Sequence, residues 1–301
     1  MSIVDDVLSR SPFMISESLW KTLQWIPEKK QQDAAKTIIA TYVKTREIAF
    51  PPPQKAHSTN VQANGVSSFE GSSFDWYSEI REGLSGRQVH DPLVKELVKA
   101  IDQFEIPHQF VFDFIRGVDR EKSLPVFPDF DELRTWAYLT SSSLWLCVIK
   151  IVDGDISDDQ LLQATIDLGV LDTLLEKLSD FVPQMETKNF FLSRDEWIDR
   201  RLNLENQVEP IDHSLWRDLI QFQCKRLELR IANAAKLGEL LESRLGKKIK
   251  SVIGARWALL KKIRRNPELL LRQKIELDGL DRFRSAIRSW LGINSPKKQV
   301  A

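Results

Sequence analysis

The sequence predicts an all-α protein, and three observations carry that prediction. Apolar residues recur at three-and-four spacing, most clearly at Leu168, Leu171, Leu174, Leu175 and Leu178, which is the spacing of one buried helical stripe. Proline punctuates the periodic segments at Pro27, Pro51-Pro52-Pro53, Pro92, Pro107 and Pro183. Lacking an amide proton and excluding helix from the residue before it, proline starts or stops helices. No stretch of any length alternates apolar and polar residues as a half-buried strand would.

The elements follow in order. Residues 1–11 read as a tail. Pro12 to Ile26 holds a first helix capped by Ser16 or Ser18, with Trp20, Leu23 and Ile26 inward. Glu28 to Phe50 is helical through Ala35, Ile38, Ile39, Tyr42 and Ile48, until the three prolines stop it. Gln54 to Ser73 is rich in Ser, Asn, Gly and Gln and reads as a flexible surface loop. Helices are expected from Phe74 to Leu84, Asp91 to Phe104 with Pro92 in the first turn, and Pro107 to Gly117. Asp129 or Asp131 caps an apolar helix running to about Val152.

The acidic run from Asp153 to Asp159 fails the calcium-loop pattern, since Ala164 stands where the closing Glu belongs. A turn with Ser157 as cap and Gln160 at the capping-box position accounts for it. The leucine stripe then runs until Pro183, and Ser193 with Glu196 reads as the cap of a further helix. Long amphipathic helices from about Asp212 to Leu245 and Lys248 to Arg265 follow. A last helix, Asp278 to Leu291, precedes the polar tail 293–301.

At 301 residues and 34.8 kDa the chain can bury a large core. Lysine plus arginine and aspartate plus glutamate stand at 43 each, so no global field draws nucleic acid or an anionic membrane. The two cysteines, Cys147 and Cys224, lie in apolar or amphipathic runs, which argues for free thiols in a reducing compartment. No apolar run reaches the roughly 18 residues of a membrane span. Asp5 and Asp6 replace the charged-then-apolar start of a signal peptide. The chain reads as soluble and cytoplasmic. Its carboxy-terminal third carries a basic face (Lys247, Lys248, Lys250, Lys261, Lys262 and neighbours), a solvated helix first and a contact to an acidic partner or membrane surface second.

Within this pattern the stretch from Leu168 to Trp197 resembles the second signature region of the squalene/phytoene synthase family. There a Leu-Gly pair leads into Gln-Leu-Thr-Asn-Ile-Leu-Arg-Asp, a second acid, Arg-x-Tyr-Leu-Pro and Asp-Glu-Leu. Without a gap, the Leu-Gly falls on Leu168-Gly169, the first acid on Asp180 and the later Asp-Glu on Asp195-Glu196. The polar helix positions become Thr173, Glu176 and Ser179, and the second acid becomes Gln184. The later Arg and Tyr become Asn189 and Phe191. In the first signature, Tyr-Ala-Phe-Cys-Arg-x-x-Asp-Asp-x-x-Asp, Tyr42 and Arg46 are kept while the three aspartates become Ala49, Phe50 and Pro53. Phe74-Asp75-Trp76, His90-Asp91-Pro92, Phe130 to Trp136, Arg226 and Trp257 continue the likeness in order, over about Pro12 to Leu291.

The resemblance implies a single isoprenoid-synthase-type helical domain, 12–292, around a central apolar cavity. Family members join or rearrange isoprenyl chains, holding Mg²⁺ between two acidic clusters and a diphosphate. Here the first cluster has lost its carboxylates and the second keeps Asp180, so no cofactor is expected and the motifs do not support Mg²⁺. The residues that carry chemistry on this frame are Asp180, Glu176 and Glu47. Those placed to bind substrate are Tyr42, Arg46, Trp136, Ser142, Thr173, Lys188 and Arg226. No histidine pair has zinc-ligand spacing.

Two functions stand open at this point. One is a divergent enzyme that binds an isoprenoid or other long apolar chain and performs transferase-type chemistry without the usual two clusters. The other is a non-catalytic relative acting as an accessory or assembly protein through a protein partner. The feature that separates them is whether Glu47, Glu176 and Asp180 converge on an open cavity or are sealed in ion pairs.

Overall fold

A computed structural model of the chain describes residues 2–10, 17–51, 69–124, 126–205, 211–241 and 244–278. The predicted loop at 54–68, the last helix beyond 278 and the polar tail lie outside the described residues. Residues 3–10, expected as tail, instead form α1 (Ile3–Arg10), because Val4, Val7 and Leu8 share a face and bury it. After α2 (Glu17–Leu23), α3 (Lys29–Ala49) is buried on most of its circumference although it carries three interior threonines. Thr37, Thr41 and Thr45 each donate to the carbonyl four residues back, at 3.0, 2.9 and 2.8 Å, so burial leaves none of these hydroxyls unpaired. α3 stops at Phe50, ahead of Pro51, as the sequence predicts.

α4 (Phe69–Leu84) begins inside the segment read as loop. The helix anchored by buried Trp76 and Ile80 runs back through Ser73 and Ser72, residues that disfavour helix without forbidding it. α5 (Pro92–Phe104) starts where expected: Asp91 accepts from the amides of Leu93 (2.8 Å) and Val94 (3.3 Å), with Pro92 in the first turn. α6 (His108–Ser123) leads to a short strand, β1 (Val126–Phe127).

α7 (Phe130–Ala137), a π-helical turn (Tyr138–Ser142) and α8 (Ser143–Asp153) then form one unbroken helix. Asp129 caps it, accepting the Glu132 amide at 2.8 Å. At 24 residues it is, among the described residues, the one helix long and apolar enough to cross a bilayer. Its apolar window is 72% buried in the protein, so the apolarity belongs to the core.

The π turn widens the helix by about one residue, and glycines on both neighbours make room for it. A Cβ on Gly117 of α6 would lie 2.9 Å from the Thr140 backbone nitrogen, and one on the facing Gly169 would lie 2.4 Å from the Ser142 Cα.

Gly169 belongs to α9 (Asp159–Ser179), which touches α8, the π turn and three later helices. Its cap is Asp158, accepting from Gln160 and Leu161, rather than Ser157, whose own amide turns back to Asp155. α9 ends before Pro183, which sits instead in the first turn of α10 (Val182–Thr187). β2 (Phe190–Ser193) pairs in parallel with β1, a two-stranded element the sequence pattern was too short to reveal.

α11 (Arg194–Asp199) follows Ser193, but that hydroxyl makes no cap and Glu196 turns inward. The next predicted helix is broken in two. α12 (His213–Ala234), capped by Asp212, and α13 (Leu237–Leu240) are separated by a turn, and α14 (Arg244–Arg265) lies against both. A 3₁₀ turn (Pro267–Leu271) and a strap to residue 278 finish the described chain. The Ile275 amide bonds the Ser179 carbonyl at the end of α9 (2.9 Å).

Candidate functional site

The last two turns of α9 send four charged side chains in different directions. Asp172, fully buried, pairs with Arg256 of α14, which is 8% exposed. Lys177 points towards α3 and β2, its ammonium 4.2 Å above the Phe191 ring. It has no hydrogen bond or ion pair among the described residues, and burial pushes its pKa down against the pull of Glu121, Glu176 and Asp180. Beside it, Arg46 grips Glu121 of α6 with two hydrogen bonds, 2.6 and 2.8 Å, and contacts the Tyr42 hydroxyl at 3.3 Å. Burial alone would raise the Glu121 pKa. Arg46, with Lys177 nearby, brings it below the usual carboxylate range instead. Tyr42 packs edge-on to Phe114 and is held protonated by burial.

Gln184, set by the resemblance at the position of the second acid, is held by three hydrogen bonds. The Gln184 amide donates to the carbonyls of Lys177 (2.5 Å) and Asp180 (3.0 Å), and its oxygen accepts the Phe191 amide at 2.9 Å. All its donors and its acceptor are engaged in tying α9 to α10 and β2. Across the same region, Ala49 is buried and Phe50 lies 5.2 Å under the Arg46 guanidinium. Among the described residues no three His, Cys, Asp or Glu side chains come together as a metal site.

Glu176 faces elsewhere. Together with Ser179 it lines a cavity of about 260 Å³ between α2, α9, α14 and the strap, whose walls include Trp25, Val252, Leu259 and Ile275. Arg256, Lys274 and Lys21 bring positive charge to it, and Glu276 pairs with Lys274 at 2.8 Å. The Glu176 carboxyl has no partner among the described residues. Burial, then the Asp172 carboxylate, raise its pKa above the usual range against Arg256, Lys177 and Lys274. Asp180 caps the end of α9, half-buried, and its charge acts on both Lys177 and Lys274. The partners expected for it, Arg46 and Arg226, are engaged by other acids.

The remaining predicted residues do not join this cavity. Glu47 is half-buried on α3, outside the cavity wall. Arg226 pairs with Glu196 and stacks on Phe130, 3.4 Å from the ring. Trp136 is buried in a cluster with Phe127 and Phe191 (5.3 and 4.7 Å). The Ser142 hydroxyl donates to the Ile166 carbonyl at 2.8 Å. Thr173 is half-buried on α9, and Lys188 is an exposed left-handed residue after α10. Glu121, Asp172, Lys177, Trp25 and Lys274 were not singled out from the sequence. One signal existed: Lys177 stands three residues past Leu174, on the apolar side of a leucine-rich helix.

This architecture is that of the all-α isoprenoid synthases. The squalene synthase HpnC from Alicyclobacillus acidocaldarius superposes with a TM-score of 0.71 at 12% identity, covering 88% of this chain and 94% of that one. A dehydrosqualene synthase solved in complex with ligand gives 0.73 at 11% identity, covering 97% and 96%. YisP from Bacillus subtilis gives 0.62 at 17%, covering 94% and 93%. Within that class the sequence decides further. The squalene/phytoene synthase profile matches residues 37–281, and the chain belongs to that family. The chloroplastic phytoene synthase 1 of Zea mays is 22% identical over 165 residues, which are 54% of this chain and 40% of that relative.

Proposed function

We propose that this chain holds an isoprenoid or other long apolar-chain ligand at the cavity between α2, α9 and α14, and acts on its head group without magnesium. The observation that carries this reading is Glu176. It is the one predicted acid that lines the cavity wall, it has no partner among the described residues, and it retains its proton above the usual carboxylate range. A magnesium–diphosphate cluster does not fit the residues present: Ala49 and Phe50 carry no ligand atoms, and the Gln184 amide is fully engaged.

The chain's own residues supply another route. Glu176 gives its proton to the oxygen of a departing head group as the carbon–oxygen bond breaks and the electron pair passes to that oxygen, and the Glu176 carboxylate then takes a proton from the carbon next to the cationic centre, whose C–H electron pair closes a new double bond. Arg256 and Lys274 take up the negative charge left on Glu176 and on the leaving group. Trp25, Val252 and Leu259 offer an apolar wall to the chain.

The test is binding and turnover of farnesol, farnesyl diphosphate and geranylgeranyl diphosphate, with EDTA or with Mg²⁺. Binding that survives EDTA, with turnover lost in Glu176→Gln while binding is kept, is the expected result. Turnover that requires Mg²⁺, or no binding of any of the three, would sink the reading.

A second reading, a non-catalytic accessory protein, is favoured by one observation. Ile198, Phe222 and Leu229 on α11 and α12 are 53%, 37% and 66% exposed, large apolar side chains left to solvent. Under it, Leu229→Asp disables the protein in the cell and Glu176→Gln does not.

A further inference from the structure

α14 is unlike the rest of the molecule in charge. The chain as a whole has no net charge, yet this helix carries nine lysines and arginines and not one aspartate or glutamate. Some of these cations are used internally: Arg256 meets Asp172, Arg264 meets Glu228, and Lys262 donates to the Glu276 carbonyl at 2.8 Å. Lys247, Lys248 and Arg265 are exposed and have no ion pair among the described residues.

The helical period sets these charges around the cavity. Lys248, Ser251, Ala255, Leu259 and Lys262 follow three-or-four spacing along one stripe. The three middle residues line the cavity, and the two lysines stand at either end of it. Lys247 and Arg265 flank the same stripe. Trp25, itself a wall of the cavity, lies under the Lys248 ammonium at 5.4 Å. Trp257, half-buried beside Lys261 at 5.3 Å, stands about half a turn round the helix from that stripe, at the opposite edge of the exposed basic face.

We propose that this face docks on an anionic lipid surface, so that the cavity opens into the headgroup layer. The charge pattern alone would suit any polyanion. The two tryptophans set among lysines select a bilayer, because an indole sits at the headgroup level with its ring in the apolar layer and its N–H in water. Between the cations the stripe holds Ser251, Ala255 and Leu259, the last buried in the cavity wall. The inference goes beyond the ligand reading and holds whichever chain the cavity takes.

The test is flotation of the full-length protein with phosphatidylcholine vesicles, with and without about a third of phosphatidylglycerol, at low and high salt. Binding to the anionic vesicles alone, lost at high salt, is expected. Each cation removed is expected to weaken binding about fivefold, so Lys247→Gln/Lys248→Gln/Arg265→Gln falls by roughly a hundredfold. These residues are exposed, and an unchanged melting curve shows the variant is folded. If the variant does not fold, the salt dependence of the native protein decides on its own. Equal binding to neutral vesicles, undiminished binding by the folded triple variant, or binding to polyglutamate without binding to vesicles would each overturn the proposal. The last would assign the face to an acidic protein. Since the vesicles carry no isoprenoid, this result is independent of the ligand assays.

Discussion

Gln184 stands where the resemblance places the second acid, and restoring that acid should damage the protein without reviving chemistry. A carboxylate in Gln184→Glu would face the Lys177 and Asp180 carbonyls and lose both donors. We expect a loss of about 2–4 kcal/mol in denaturant unfolding, and no Mg²⁺-dependent turnover. Arg46 presents the complementary case. In Arg46→Ala the Glu121 carboxylate stays buried and unpaired, at about 3–5 kcal/mol, and Arg46→Met/Glu121→Leu should recover much of that loss. Glu176 makes stability depend on pH with a defined sign. Its folded pKa is raised, so its favourable contribution is complete below the ordinary glutamate pKa near 4.3 and is lost as pH rises through the folded value. Glu176→Gln should abolish that decline and be more stable than the native protein at neutral pH, as unfolding midpoints across pH would show. At this scale the sequence was a partial guide. Asp91 could be read as a cap from its own neighbours, and Tyr42, Arg46 and Glu176 stood out. Glu121, 75 positions from Arg46, could not be matched to it, because ion-pair partners on separate helices leave no local pattern.

Among the elements, the π turn sets the geometry at the centre of the molecule. Since its widened backbone meets Gly169 where a Cβ would fall 2.4 Å from Ser142 Cα, relief requires backbone to move. Gly169→Ala should therefore lower stability by about 2–4 kcal/mol in thermal or denaturant unfolding, although alanine is the better helix former. A glycine at an exposed helical position would give the opposite sign. The leucine stripe of α9 and the proline stop of α3 were legible because both act through the residues next to them. The π turn was not, since one extra residue in a turn scarcely disturbs an apolar run that is buried on every side. The break between α12 and α13 escaped for a similar reason: Ala235-Lys-Leu-Gly contains nothing that forbids helix, and tertiary packing against α14 decides it. In the acidic run before α9 the cap fell one residue later than expected, on Asp158.

For the whole molecule, fold and family were legible, because order and spacing of weak matches along nearly the full chain survive the loss of individual side chains. The site was less so. The residues that line the cavity come from α2, α9, α14 and the strap, segments far apart in the chain that leave no local pattern. Head-to-head condensation of farnesyl or geranylgeranyl diphosphate with Mg²⁺ and NADPH should yield no squalene or phytoene, with rates down by factors of roughly a hundred to a thousand or more. Product extraction and chromatography would check it. One hydrogen bond ties these levels together. The Ile275 side chain is part of the cavity wall, and its amide is fastened to the final carbonyl of α9 at Ser179. Whatever widens the cavity on that side must first break this bond and let the end of α9 fray. Under the ligand reading proposed above, the deuterium uptake of one backbone amide, Ile275, should serve as a clock for ligand exchange. It should slow when the cavity fills, and its rate should set the upper limit on how fast anything held there can leave.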